Sequence, residues 1–250
     1  GRQGITVAGS TSVQPFAERL AEVYMHAHPD IEINVQGGGS SAGIRAVQNH
    51  ICHIGMSSRH LNGPETTLTA ITVAFDAIVL IVNGRNPVSG LTLEQARQVF
   101  AGEVRNWREL GGPDLPITVV TREEGSGTRA SFEEKVMTVK RPDAEPAVRH
   151  FAPDALVQDS NGAVREIVAT DPAAIGYISF GLVDDRVKAL TLDNVLPTPQ
   201  TVRSGRYPVG RRFLFLTAGE VDSTTRHFID FVLSEQGQHA LADEGLIRVN

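Results

Sequence analysis

The 250-residue chain contains a single cysteine, Cys52, so no disulfide can close within it. That count does not choose between a reducing and an oxidising compartment. Long hydrophobic runs are missing as well: no apolar stretch reaches the roughly 18 residues that a membrane-spanning helix needs, and the composition is that of a soluble globular protein. Positive charge is in deficit. The formal net charge of −6 argues against a nucleic-acid-binding protein, because such binding uses Lys and Arg to neutralise several phosphates at once; a compact local anion site stays compatible with it. There is no internal repeat of fixed period and no low-complexity tract. No G-x-x-x-x-G-K-[ST] occurs, so a nucleotide-hydrolysing P-loop has no support. No G-x-S-x-G elbow is present, and no His and acid are placed by sequence to activate Ser126 as a nucleophile.

Two motifs tempt and fall short. "GGGSSA" at 37–42 fits a dinucleotide-binding glycine pattern, but the acid required about 20 residues further on is absent, since "MSSRH" fills that region. His50, Cys52, His53 and His60 crowd together without any zinc spacing. A buried free thiol among surface imidazoles accounts for them better, and neither cofactor nor metal is expected. His26 and His28 fall at a helix end, where a cation is favourable, and Trp107 reads as a packing residue. The chain opens Gly1-Arg2-Gln3 without Met, as a processed or trimmed protein would, so a removed signal or lipid-anchor segment would leave no trace here.

What is present is an alternation of strands and helices. Apolar or period-two runs at 5–8, 31–35, 51–56, 115–121, 174–180 and 213–217 predict strands. Residues 68–82, interrupted only by Asp76 in "VAFDAIVLIVN", look like a strand of a parallel sheet, buried on both faces. Helical spacing appears around Phe16, Leu20, Val23 and Tyr24, and over 42–49, 91–100, 129–139, 163–170 and 224–243. The stretch 195–207, rich in Pro, Thr, Arg and Gly, suits a connector. The pattern predicts an α/β protein with largely parallel sheets.

Three strand-to-helix turns share one chemistry: Ser10-Thr11-Ser12, Ser40-Ser41 and Ser126-Gly127-Thr128. The first turn of a helix carries N–H groups without intrahelical partners and about half a unit of positive charge, which together favour an anion. Hydroxyls add neutral donors and glycine lets the backbone approach. Taken singly, each turn reads first as an ordinary N-cap that binds nothing. Together they fall at the carboxyl edge of the strands, where open α/β sheets bind ligands. Arg122, four residues before Ser126, offers a planar fork suited to two oxygens of a tetrahedral oxyanion; a surface salt bridge with Glu123 or Glu124 is the competing use of the same side chain.

"AGSTSVQPF", "QGGGSSAGIRAV", "IGMSSR", "REEGSGTR" and "AIGY", in this order and spacing, resemble the phosphate-binding proteins that serve phosphate ABC transporters. The similarity runs over nearly the whole chain, with R-x-x-x-S-G-T its most specific piece. It implies a two-lobed periplasmic-binding-protein fold, each lobe a largely parallel sheet flanked by helices, with residues 1–75 and 205–250 in one lobe and 76–204 in the other. It also implies a cleft between the lobes that closes on one phosphate, with hinges near Phe75 and Asp76 and within 195–207. Carried over by residue, it implies phosphate ligands at Thr11 and Ser12, at Ser40, and at Arg122, Ser126, Gly127 and Thr128, with Ser10 and Ser41 able to add to them. The expected protein is a monomeric, non-enzymatic, extracytoplasmic carrier, free in the periplasm or lipid-anchored at the cell surface, that delivers phosphate to a membrane ABC permease; a sulfate binder or a phosphate-sensing or adhesive surface protein is the alternative.

One departure from that resemblance concerns selectivity. Longer family members carry an Asp after the Ser of the third-strand turn as acceptor of the phosphate proton, and here Ser58 stands in its place. The expectation is that Asp76 turns its carboxylate into the cleft instead, with Ser57 or Ser58 donating a hydroxyl. A lone acid among Val, Phe, Ile and Leu is costly to bury without partners; the opposing reading is an acid at an exposed strand end. Phosphate near neutral pH bears a proton and sulfate does not, so a fixed carboxylate acceptor would reward phosphate. Pairing of that kind discriminates by about 10⁴ or more.

Overall fold

Ile5 and Val7 are buried while Gly4 is exposed and Thr6 half-buried, the period-two signature of a strand with one face on a core. They lie in β1 (Gln3–Gly9), which is followed by α1 (Gln14–Ala27), β2 (Ile31–Gly38), α2 (Ser40–Gln48), β3 (Ile54–Ser57) and β4 (Thr69–Asn83). This computed structural model describes all residues, Gly1–Asn250. They form two compact units, Gly1–Asp76 with Arg211–Asn250, and Ala77–Gly210.

The second unit continues with β5 (Gly90–Leu91), α3 (Leu93–Phe100), β6 (Thr118–Arg122), α4 (Gly127–Phe132), β7 (Thr138–Arg141), β8 (Ala144–Val148), β9 (Leu156–Gln158), α5 (Asn161–Thr170), β10 (Ala174–Ser179), β11 (Val187–Ala189), β12 (Thr191–Leu192) and α6 (Pro199–Arg203). The chain then returns to the first unit through β13 (Gly210–Thr217), α7 (Ser223–Leu233) and α8 (Glu235–Asp243).

In the first unit the strand order is β2-β1-β3-β13-β4. β1 is parallel to both β2 and β3, and β13 is antiparallel to β3. Alternation along β13 covers both faces of the sheet: Phe213 and Phe215 join Ile5, Val7, Leu20 and Phe228 in one core, while Leu214 and Leu216 join Ile44, Val47 and Cys52 in another. Helix α2 lies hard against β1. A Cβ on Gly43 would stand 2.6 Å from the Gly9 Cα, and one on Gly9, whose φ is +139°, would stand 2.3 Å from the Met56 carbonyl oxygen. Bare backbone at both positions brings the start of α2 beside the ends of β1 and β3.

In the second unit the order is β4-β10-β6-β9, with β11 also pairing with β4. β10 and β9 run parallel to β6, but β4 is antiparallel to β10 and β11. The run 68–82 therefore differs from the expectation of a parallel neighbourhood. Its burial on both faces is real from Ala77 onward, but burial does not fix strand direction, which follows from the connections.

Other differences have local causes. The helix expected over 129–139 is α4 and then a single π-helical turn, Glu133–Met137. There the Thr138 hydroxyl donates to the Glu133 carbonyl and Arg97 Nε donates to that of Val136, after which the chain enters the β7–β8 hairpin. The helix expected over 224–243 breaks at Ser234, whose ψ of 165° is extended; its hydroxyl then caps α8 by accepting from Gly237 N–H. A Cβ at Gly237 would stand 2.2 Å from the Phe231 carbonyl oxygen, so the two helices meet at that glycine. The expected connector 195–207 holds α6 and the buried Tyr207, whose hydroxyl donates to the Ile78 carbonyl. Trp107 is fully buried and donates through Nε1 to the Ala173 carbonyl. No helix is long and apolar enough to cross a membrane.

Candidate anion-binding site

The first unit gathers its predicted serines at the carboxyl ends of β1 and β3 and at the start of α2. Ser10 is buried, and its Oγ accepts from the N–H groups of Ser12 and Val13. The same Oγ donates to Ser58 Oγ at 3.2 Å. Ser58 N–H donates to Ser40 Oγ at 3.1 Å, and the two hydroxyl oxygens are 3.4 Å apart. Three hydroxyls from three separate turns thus form one neutral polar cluster. The first turn of α2 opens beside it, with Ser40 as its first residue and its leading N–H groups lacking intrahelical acceptors.

Ser57 and Ser41 are engaged differently. Ser57 is fully buried and exchanges hydrogen bonds with the backbone of Arg59. Ser41 Oγ accepts from Arg59 Nη2, and the same guanidinium binds Glu65 in a bidentate pair. That pairing holds the Glu65 carboxyl down at about 2. Of the two serines proposed for the third turn, Ser58 is the one that joins the cluster. Thr11 is exposed beside it.

Asp76 is 4% exposed, which removes the reading of an acid at an open strand end. Its partner is Arg211, a residue that no sequence motif singled out. Nε and Nη2 of Arg211 lie 3.3 and 3.2 Å from Asp76 Oδ2, and Nη1 lies 3.3 Å from Ser12 Oγ. Asp76 Oδ1 is buried and makes no hydrogen bond. The lone acid in an apolar strand was the visible sign that a counter-ion had to exist; where in the chain it stood was not readable.

The second unit gathers its predicted residues at the β6–α4 corner. Arg122 closes β6 with a side chain only 11% exposed. Its Nε and Nη2 donate to Glu123 at 3.0 and 3.2 Å, so the salt bridge weighed from the sequence does form. The bond from Arg122 holds the Glu123 carboxyl below the usual carboxylate range. A guanidinium has two bidentate edges, however, and the Nη1–Nη2 edge is the one through which Arg122 can meet a second anion.

Ser126 caps α4 by accepting from Arg129 N–H at 3.1 Å. Capping uses a lone pair and keeps the hydroxyl proton, so a cap can still donate to a ligand. Gly127 and Thr128 open the helix.

Two residues that sequence reasoning gave no role hold this corner in place. The Tyr177 hydroxyl lies 2.7 Å from Thr121 Oγ1 and receives the Arg122 N–H; burial pushes its own ionisation upward. Its ring stacks on Phe132 at 4.1 Å. Arg129 donates to the Arg122 carbonyl, pairs with Glu133, and lies over the Phe151 ring.

The cysteine and its neighbouring histidines lie apart from these donors. Cys52 is buried, which raises its thiol pKa. With His50, His53, Thr217 and Asp222 it lines a cavity of about 140 Å³ that none of the clustered serines reaches. No group of three His, Cys, Asp or Glu side chains is placed to hold a metal ion.

A family model for the PBP superfamily domain matches residues 1–236. The phosphate-binding protein PstS of Bacillus subtilis is 35% identical over 98% of this chain and 80% of its own length. The chain belongs to this family of phosphate-binding proteins. Among solved structures, an ABC-type phosphate transport receptor from Vibrio cholerae is 40% identical, covers 98% of this chain and 99% of its own, and superposes with a TM-score of 0.84. A putative phosphate ABC transporter substrate-binding protein from Clostridium perfringens, solved with bound phosphate, is also 40% identical over 99% of this chain and 100% of its own, with a TM-score of 0.69. The serine cluster of the first unit and the Arg122 corner of the second each coincide with a turn that the sequence marks.

Proposed function

We propose that this protein binds inorganic phosphate outside the cytoplasm and delivers it to an ABC-type membrane permease, acting as a monomer and without catalysis. The observation that carries this reading is the phosphate bound by the Clostridium perfringens relative, which shares 40% identity over 99% of this chain. Ser10, Thr11, Ser12, Ser40, Ser41 and Ser58 supply donors from the first unit, and Arg122, Ser126, Gly127 and Thr128 supply them from the second. Asp76 acts as the acceptor for the proton on the ligand. The geometry supports this division of labour. One guanidinium edge at Arg122 supplies charge and the remaining donors are neutral, so a chain with a net charge of −6 can still hold an anion.

Isothermal titration with inorganic phosphate tests binding, and phosphate uptake in a strain lacking the gene tests delivery. Heat of binding together with lost uptake fits the proposal. Binding with normal uptake and altered signalling would favour a sensor, and turnover of a chromogenic phosphate ester would point to an enzyme.

A further inference from the structure

We propose that Arg211 is a specificity-determining positioning residue, which grips one carboxylate oxygen of Asp76 and so presents the other as the acceptor that reads proton-bearing tetrahedral oxyanions. The inference rests on the phosphate reading above and adds to it a residue outside every recognised motif.

Both hydrogen bonds from Arg211 to Asp76 converge on Oδ2, at 3.3 and 3.2 Å. Oδ1 receives none and is shielded from bulk solvent. A buried carboxylate oxygen is costly without a donor. The side chains of Arg211 and Asp76 are 9% and 5% exposed, so the donor that meets Oδ1 has to be taken into the site. An O–H on a protonated oxyanion fits; a fully ionised one places two acceptors against each other.

Nη1 of the same guanidinium donates to Ser12 Oγ at 3.3 Å. That bond ties the guanidinium to the turn that follows β1. The acceptor at Asp76 complements the P–OH of hydrogen phosphate. Because Arg211 and Asp76 cancel in charge, the pair contributes selectivity more than affinity.

The backbone fixes the arrangement. The chain leaves the first unit after Asp76 and re-enters it at Arg211, on strands β4 and β13, which are neighbours in the sheet. The guanidinium also packs over the Phe213 ring, 4.9 Å from its centre. Arg211 is therefore held by two strands and a ring.

The test is the ratio of phosphate to sulfate affinity, measured by titration on the wild type, Arg211→Lys, Asp76→Asn and the double variant, with the unfolding midpoint of each ligand-free protein recorded alongside. Lysine keeps the charge and loses the planar fork, which makes it the milder choice should Arg211→Gln fail to fold. The ratio is expected to drop by about tenfold or more in Arg211→Lys, and the double variant should discriminate no worse than Asp76→Asn alone, because Arg211 acts through Asp76. An Arg211→Lys protein with the wild-type ratio, or losses that multiply in the double variant, would overturn the inference and leave phosphate binding standing. A wild type that does not bind phosphate overturns the functional reading, and this inference with it.

Discussion

The Tyr177 hydroxyl receives the backbone N–H of Arg122 at 3.3 Å and meets Thr121 Oγ1 at 2.7 Å. A fully buried ring on β10 thereby sets the end of β6, from which the Arg122 side chain departs. Tyr177→Phe keeps the stack on Phe132 and deletes both bonds. The expected result is about 1–3 kcal/mol less stability in urea unfolding, the cost of leaving buried polar groups unpaired. Phosphate affinity should weaken severalfold, since the charged donor is no longer held in register.

In the proposed function Arg122 supplies the charge that the second unit offers the anion. On that reading Arg122→Ala removes the charge-assisted contact with the anion and leaves Glu123, whose carboxyl that guanidinium holds down, as an unpaired negative group nearby. The expected loss in titration calorimetry is about 2–5 kcal/mol of binding free energy, the range for truncating one member of such a pair. Arg122→Lys should recover only part of it, because the two-donor edge is gone.

Substitutions at Asp76 separate fold from function. Asp76→Leu strands the Arg211 guanidinium in a buried setting and should cost about 3–5 kcal/mol of stability. Asp76→Asn leaves an acceptor oxygen for Arg211 and should cost clearly less. The Asn variant should nonetheless lose much of its preference for phosphate over sulfate, so denaturant midpoints and ligand ratios will rank the two variants differently.

The Arg59–Glu65 pair gives the stability curve an acid limb. The Glu65 carboxyl ionises at about 2 in the folded chain against an ordinary 4.5, a depressed value. Its contribution is therefore complete above about 4.5 and is lost as pH falls from there toward about 2. Glu65→Gln should flatten the pH dependence of the urea midpoint in that window and leave the neutral side unchanged.

The strand-to-helix turns were legible because their signals are local. Ser10, Ser40 and Ser126 sit where a strand gives way to a helix, and chain-local spacing is enough to mark them. Breaks inside helical patterns were less so: nothing in the periodicity of 224–243 separates Ser234 from its neighbours, and the close passage at Gly237 is a property of the folded backbone. Long-range pairing was least legible. Arg211 reaches Asp76 across 135 positions, and neither the Gly-Arg-Arg-Phe run around it nor the apolar run around Asp76 names the other. Tyr177 lay inside a motif that matched the family, but its bond to Arg122 depends on β10 and β6 becoming parallel neighbours.

Phosphate titrated into the wild-type protein in the presence of a large excess of sulfate tests the central claim most directly. Saturable one-to-one binding that sulfate at about 10³-fold excess leaves unchanged is the predicted result. Absence of phosphate binding, or displacement of phosphate by sulfate at comparable concentration, would contradict it.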